Sequence, residues 1–314
     1  KIPGKKSKYK IDKSSPGIIR DQSKCILCGR CVRVCEEQQA VSTFDFAYRG
    51  SKLMIGTAFL KPLNFSNCIA CGQCVISCPT GALTEKHQFS ELDQMLYDKE
   101  KKVVVQYSPS IAAAIAQEFG LKPGKDINGI INSALKKIGF DMVFETAFGA
   151  DISVLEQTAE FIERFEKDKN LPLISSDCPA WIKFAEQYLS ELLKNISSVR
   201  SPQQITASLI RNLVTENEPA ENKPWQVSIM PCTAKKHEAQ RVEMGEKGVQ
   251  DIDTVLTTRE FIRLIRLNGI DMEHLEPEPP DESFGIASSS GKLFSVGGGM
   301  TEALLRTIYY RFNE

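Results

Sequence analysis

Cysteine recurs twice along the chain in the spacing C-x2-C-x2-C-x3-C. "CILCGRCVRVC" places Cys25, Cys28, Cys31 and Cys35, and "CIACGQCVISCP" repeats the run with Cys68, Cys71, Cys74 and Cys78 at a constant offset. Nothing else in the sequence restricts the fold as tightly, because these spacings bring the thiols of each run onto one tight turn. Zinc ribbons present two separated C-x2-C pairs, not two runs of four, so zinc and disulfide staples explain the pattern less well than iron–sulfur cubes do. In the C-x2-C-x2-C-x3-C run, three thiolates wrap one cube and the fourth ligates the other. The expected ligand sets are therefore Cys25, Cys28, Cys31 and Cys78 for one [4Fe–4S] cluster, and Cys68, Cys71, Cys74 and Cys35 for a second. Gly29 and Gly72 follow the second cysteine of each run, where the backbone turns sharply. Pro79 follows Cys78, whereas Glu36 follows Cys35.

Residues 15–90 resemble bacterial two-cluster ferredoxins, with a longer stretch, Glu36 to Asn67, between the halves. A pair of such clusters relays single electrons and does not by itself transform a substrate.

The remainder reads differently. "VVVQY" (Val103 to Tyr107), "MVFETAF" (Met142 to Phe148), "LPLIS" (Leu171 to Ser175) and "WQVSIM" (Trp225 to Met230) are strand candidates. Helices are expected over "SIAAAIAQEFG", after Asp151 as a cap, and from near Pro179, Pro202 and Thr301. Alternating strands and helices predict an α/β fold with a mainly parallel sheet, preceded by an α+β ferredoxin-like domain. The expected division is 1–98, including a basic N-terminal arm from Lys1 to Lys24, and 99–314. Ligands of parallel sheets gather beyond the carboxyl ends of the strands. Cys178 and Cys232, the two cysteines outside the runs, each follow a strand candidate. "EPEPPDES" (Glu276 to Ser283) reads as a surface loop.

A net charge of -1 on 314 residues lacks the basic excess of a nucleic-acid-binding protein. No apolar run reaches the roughly 18 residues of a membrane helix, and the start lacks the apolar core of a signal peptide, so a cytoplasmic protein without a membrane span is expected.

"SDCPAW" around Cys178 and "MPCTAKKHEAQR" around Cys232 resemble the signature loops of [FeFe] hydrogenases. "FGADISVLEQTAEFIERF", "AEQYLSELLKNISSVRSPQQ" and "SSSGKLFSVGGGMTEALLRT" also resemble that family, so the likeness runs from about Asp21 to the last residue. The resemblance implies an H-cluster, a [4Fe–4S] cubane bridged to a two-iron unit carrying CO and cyanide, with Cys178 and Cys232 as two of the cubane's four ligands. It implies that Lys235 donates to a cyanide, that Pro109, Ser110 and Gln203 surround the two-iron unit, and that Met230 packs beside it. It further implies anaerobic metabolism, reversible H2 oxidation and proton reduction, ferredoxin or other iron–sulfur electron-transfer subunits as partners, and membership of a multi-subunit complex.

Two departures qualify that picture. Eight of the ten cysteines are spoken for by the runs, leaving two where a cubane takes four. The family's third signature loop is absent from the sequence, which leaves open a missing segment, a ligand supplied by another chain, or a lost active cluster. Asp177 also stands where active hydrogenases carry a proton-relaying cysteine. Glu160, Ser197 and Arg164 match the rest of that relay, but Gln157 replaces one of its acids and does not titrate. A low-turnover or sensory hydrogenase accommodates both changes. The alternative is a non-catalytic electron-transfer or scaffold protein that keeps the fold without the two-iron unit, as in eukaryotic iron–sulfur assembly factors related to the nuclear prelamin A recognition factor.

Overall fold

A computed structural model describes residues 9–122, 126–215, 223–246, 249–281 and 287–313. Residues 1–8 of the basic arm, and 282–283 of the acidic proline-rich stretch, lie outside the described residues.

In chain order the first elements are β1 (Ile18–Arg20), α1 (Arg30–Arg33), β2 (Asp45–Ala47), β3 (Met54–Gly56), α2 (Gln73–Ser77) and β4 (Leu83–Glu85). β1 pairs antiparallel with β4, and β2 with β3. The two cysteine runs fold alike, with Gly29 and Gly72 in the left-handed conformation (φ 71° and 77°) directly before α1 and α2. They end differently. Pro79 disfavours helix at the residue before it, and Cys78 is extended at the end of α2. Glu36 imposes no such stop, and α1 runs on into a π-helical turn, Val34–Gln38, that carries Cys35.

Then follow α3 (Phe89–Tyr97), β5 (Val103–Tyr107), α4 (Ala112–Glu118), α5 (Asn128–Ile138), β6 (Met142–Glu145), α6 (Ala147–Glu166), α7 (Pro179–Tyr188), α8 (Pro202–Thr215), β7 (Trp225–Met230) and α9 (Ala234–Ala239). The chain continues through the short pair β8 (Gly245–Glu246) and β9 (Val249–Gln250), β10 (Thr254–Thr257), α10 (Thr258–Leu267), α11 (Ser289–Leu293) and α12 (Gly299–Asn313).

The chain divides into two compact units. The smaller comprises Lys1–His87 with Pro179–Ser190 and Cys232–His237, and the larger the remainder. α3, expected with the ferredoxin-like domain, is thus part of the larger unit, while α7 and the turn after Cys232 belong to the smaller.

The larger unit is built on a four-stranded parallel sheet in the order β10-β7-β5-β6. Strand alternation gives its faces different chemistry. Val103, Val105 and Tyr107 of β5 join Val227 and Ile229 of β7 in an apolar core with α4, α5 and α10. On the other face Val104 and Phe144 meet Ile210 of α8, beside the buried polar residues Gln106, Gln226 and Ser228. The mainly parallel α/β fold is as the strand and helix alternation predicts.

Two local expectations fail. Leu171–Ser175 is not a sheet strand. Pro172 has no N–H to give a ladder, and Ile174 makes one parallel bridge, to Ile196. Asp151 does not cap a helix, because α6 already begins at Ala147; its carboxylate accepts instead from the Ser288 N–H and hydroxyl. The described part of the loop at Glu276 lies at the surface, as expected, and is tied down at two points. Asp281 exchanges hydrogen bonds with Val143, covering part of the open edge of β6, and Glu278 N–H bonds the Gly129 carbonyl.

Candidate functional site

The smaller unit contains two cavities, and the eight run cysteines divide between them by crossing over. Cys25, Cys28, Cys31 and Cys78 line one, with about 410 Å³ of empty space. Cys35, Cys68, Cys71 and Cys74 line the other, with about 310 Å³. Each cavity takes three thiols from one run and the fourth from the other. Phe44, 2% exposed, lines both.

The donor set can be tested against a cluster. All ten cysteines are free thiols. Among the described residues no group of three or more His, Cys, Asp or Glu closes on a single metal ion. The first cysteine of each run accepts a backbone N–H at 3.4 Å, Cys25 from Leu27 and Cys68 from Ala70, and Cys35 accepts one from Thr43 at 3.3 Å. Leu27 and Ala70 reach these sulfurs from left-handed backbone conformations (φ 59° and 58°), which cost an L-residue energy and persist only where the surroundings impose them. Burial, and then the crowding of neighbouring cysteines, raises the Cys31 thiol to about 11; Cys74 is raised by the same causes. Burial likewise raises Cys71 to about 11. Thiols in this state become thiolates only with a cationic partner, which an iron–sulfur core provides. Cys78 differs: burial raises it, but N–H groups from Leu83, Thr80 and Ala82 and the Thr80 hydroxyl together pull it below its ordinary value. The residues present fit two iron–sulfur clusters.

Around the second cavity, Cys35, Cys71 and Cys232 pack against Val41, Ile69, Ala70, Ala180 and Ala234. Cys232 lies just beyond β7, and its sulfur accepts the Ala234 N–H at 3.4 Å. Lys235, buried on α9, donates its backbone N–H to the Cys232 carbonyl.

In the larger unit, Cys178 is exposed. Pro109 and Ser110 follow β5 and line an open cavity of about 1090 Å³ with Asp126 and Ser295; the Ser110 and Ser108 hydroxyls are 2.8 Å apart. Met230, at the end of β7, packs among Ala207, Ala239, Ile252 and Val255. Gln203 is engaged at both ends of its amide. Nε2 donates to Glu238 (3.0 Å), and Oε1 accepts from Ser228 (3.1 Å).

Three relay candidates come together. Glu160 accepts the Ser197 hydroxyl at 2.5 Å, the Ser198 N–H and Arg164 Nη2 at 2.7 Å. Burial raises the Glu160 carboxyl, but those donors outweigh it and hold it below its ordinary range. The two altered positions have partners of their own. Gln157, one turn back on α6, donates to Ser153 at 2.8 Å, and its buried Oε1 has no hydrogen-bond partner. Asp177 accepts from the Ser175 hydroxyl at 2.7 Å.

Sequence reasoning missed several residues. Arg20, counted with the solvated basic arm, is half-buried in the wall of the first cavity, near enough to Cys25 and Cys31 for their charges to interact. Its only signal is its place on an apolar strand a few residues before Cys25. Phe44 has no sequence signal, and neither does Thr233, whose hydroxyl bonds the Ala70 carbonyl.

Paired cysteine quartets in one unit and a parallel α/β sheet in the other define an iron–sulfur redox protein. Residues 101–314 match the family model described as iron only hydrogenase large subunit, C-terminal domain, and residues 24–82 that of the 4Fe-4S dicluster domain. The chain belongs to the iron-only hydrogenase large-subunit family. It is 38% identical over 307 residues to iron hydrogenase 1 of Clostridium pasteurianum, covering 98% of this chain and 53% of that protein. It is 37% identical over 210 residues to the cytosolic iron-sulfur assembly component 3 of Bos taurus, covering 64% of this chain and 44% of that one. Among solved structures, the [FeFe]-hydrogenase HydA1 from Chlamydomonas reinhardtii superposes with a TM-score of 0.61 at 32% identity, over 69% of this chain and 57% of that one. The chain spans about half the length of these curated hydrogenase relatives. Among the described residues no helix is long and apolar enough to cross a membrane.

Proposed function

We propose that this chain is the electron-carrying part and part of the H-cluster site of a hydrogenase-type protein. Cys25, Cys28, Cys31 and Cys78 hold one [4Fe–4S] cluster, and Cys35, Cys68, Cys71 and Cys74 a second. Cys178 and Cys232 are two ligands of the H-cluster cubane. The reading assigns 1–98 to the two-cluster domain and 99–314 to the H-cluster domain. When bound, the two clusters supply one-electron storage and transfer, and the H-cluster supplies the making and breaking of H2.

The observation that carries the reading is the closure of two cavities by two complete quartets, the second of which shares an apolar cluster with Cys232. That packing supports an order. The quartet of Cys25, with Cys28 exposed, stands at the entry, and the quartet of Cys71 at the exit. An iron–sulfur partner such as ferredoxin, or another subunit of a cytoplasmic complex in anaerobic metabolism, belongs to the same proposal as the source or sink of electrons.

On the proton side, the chain's own groups support low turnover. Ser197, Glu160 and Arg164 form a connected path, but Glu160 is held as a carboxylate by three donors and takes up a proton reluctantly. Gln157 carries no titratable proton, and Asp177 replaces a thiol. Lys235, Pro109, Ser110, Gln203 and Met230 are assigned to the surroundings of the two-iron unit; that the Gln203 amide is already engaged by Glu238 and Ser228 favours a supporting role for it.

These altered positions also favour a second reading, a non-catalytic electron-transfer or assembly protein, in keeping with the 37% identity to an iron-sulfur assembly component. Infrared spectra of anaerobically matured, full-length protein separate the two. Bands of metal-bound CO and cyanide with hydrogen/deuterium exchange support the hydrogenase reading. Their absence, with about eight irons per chain instead of about fourteen, supports the second.

A further inference from the structure

Thr233 follows Cys232, yet its side chain belongs to the other end of the sequence. It is 3% exposed, and its hydroxyl donates to the Ala70 carbonyl at 2.6 Å, in the middle of the Cys68–Cys74 loop. The loop is shaped around it. A Cβ on Gly72 would meet the Thr233 hydroxyl oxygen at 2.5 Å, and one on Gly17 would meet the Thr233 carbonyl at 2.8 Å. Gly72 is left-handed, as is Ala70, whose N–H bonds the Cys68 sulfur. One hydroxyl thus anchors the two unusual backbone turns of the second quartet to the turn bearing Cys232.

We propose that Thr233 is a positioning residue that couples the Cys232 turn to the second cluster, fixing the Cys68–Cys74 loop and setting that cluster's potential. The inference rests on the assignment of a cluster to the second quartet. The Ala70 carbonyl and the Cys71 N–H belong to one peptide group, so a hydrogen bond accepted by the first strengthens the second as a donor. With a cluster bound, a stronger Cys71 N–H donor facing its sulfur would raise the reduction potential. The same bond links the Ala70 peptide directly to the residue after Cys232, a short covalent and hydrogen-bonded path for an electron.

The test compares Thr233→Val, which keeps the shape and removes the donor, with Thr233→Ser, which keeps the donor. Thr233→Ala serves where valine disturbs the packing beside Gly72. In T233V, amide exchange across residues 68–74 rises roughly tenfold, as loss of one buried hydrogen bond implies. The second cluster's midpoint potential, followed by electron paramagnetic resonance, moves to a more negative value, the first cluster's stays in place, and T233S restores both readings. Unchanged exchange and potential in T233V and T233A overturn the proposal and leave Thr233 as packing only. Parent protein that takes up no iron defeats the cluster assignment instead, and the exchange comparison still decides whether Thr233 holds the loop.

Discussion

Cys71 and Cys232, far apart in the chain, pack against one apolar cluster that includes Ala70 and Ala234. This places the second quartet beside a cysteine that belongs to neither run. Cys232→Ser is therefore expected to leave both quartets able to hold iron, with about eight irons retained, while removing any H-cluster signal. Iron analysis with electron paramagnetic resonance checks this. Loss of the second quartet's signal in that variant would mean that Cys232 serves that cluster and no other.

The crossing of the fourth cysteines gives a test of pairing. Cys35→Ser is expected to disturb the cluster at Cys68, Cys71 and Cys74, though Cys35 belongs to the other run, and Cys78→Ser the cluster at Cys25, Cys28 and Cys31. Spectra of the reduced variants, each read against a separately titrated parent, report which signal changes. The opposite assignment of the two signals would refute the crossing.

Arg20 places a cation in the wall of the first cavity. A reduced cluster carries one more negative charge than an oxidised one, and a nearby cation favours it. Arg20→Gln should shift the first cluster to a more negative potential and leave the second unmoved. A redox titration that finds no shift would show that solvent screens the charge.

Glu160 gives a prediction in pH. Its folded carboxyl is held below the ordinary 4.5 by Ser197, Ser198 and Arg164 in spite of burial. A depressed carboxyl stabilises the fold above its unfolded value, and that contribution is lost as pH falls through the folded value. Glu160→Gln should cost about 1–3 kcal/mol near neutrality, and the difference between parent and variant should shrink as pH is lowered below 4.5. Chemical denaturation at several pH values measures this; a difference that stays constant into acid would mean that packing, not the charged hydrogen bonds, is what the variant loses.

Gly72 and Gly50 are both left-handed, but only Gly72 lacks room for a methyl group, because Thr233 fills it; nothing lies within 4 Å at Gly50. Gly50→Ala should cost only the backbone term, about 1 kcal/mol, and Gly72→Ala distinctly more. Equal losses in denaturation would show that the loop shifts freely away from Thr233.

Much of this was legible from the residues. Val103–Tyr107 and Trp225–Met230 form strands at the expected bounds, and α7 and α8 begin at Pro179 and Pro202. These segments carry their signal locally, in β-branched runs and in a proline suited to a first turn. Leu171–Ser175 misled because an apolar run does not reveal whether a partner strand is present, and here the partner is a single residue, Ile196. The roles of Arg20, Phe44 and Thr233 were hidden for a related reason. Each depends on a cavity wall or a carbonyl contributed by residues distant in sequence, and a common residue type leaves no mark of that in its own neighbourhood.

The crossover of Cys35 and Cys78 also bears on how the small unit is assembled. Since every cavity borrows a thiol from the other run, and Phe44 is a wall common to both, a chain severed between Cys35 and Cys68 leaves neither fragment with four sulfurs about one cavity. The two halves act as lock and key to each other: neither quartet is complete until both runs have folded together.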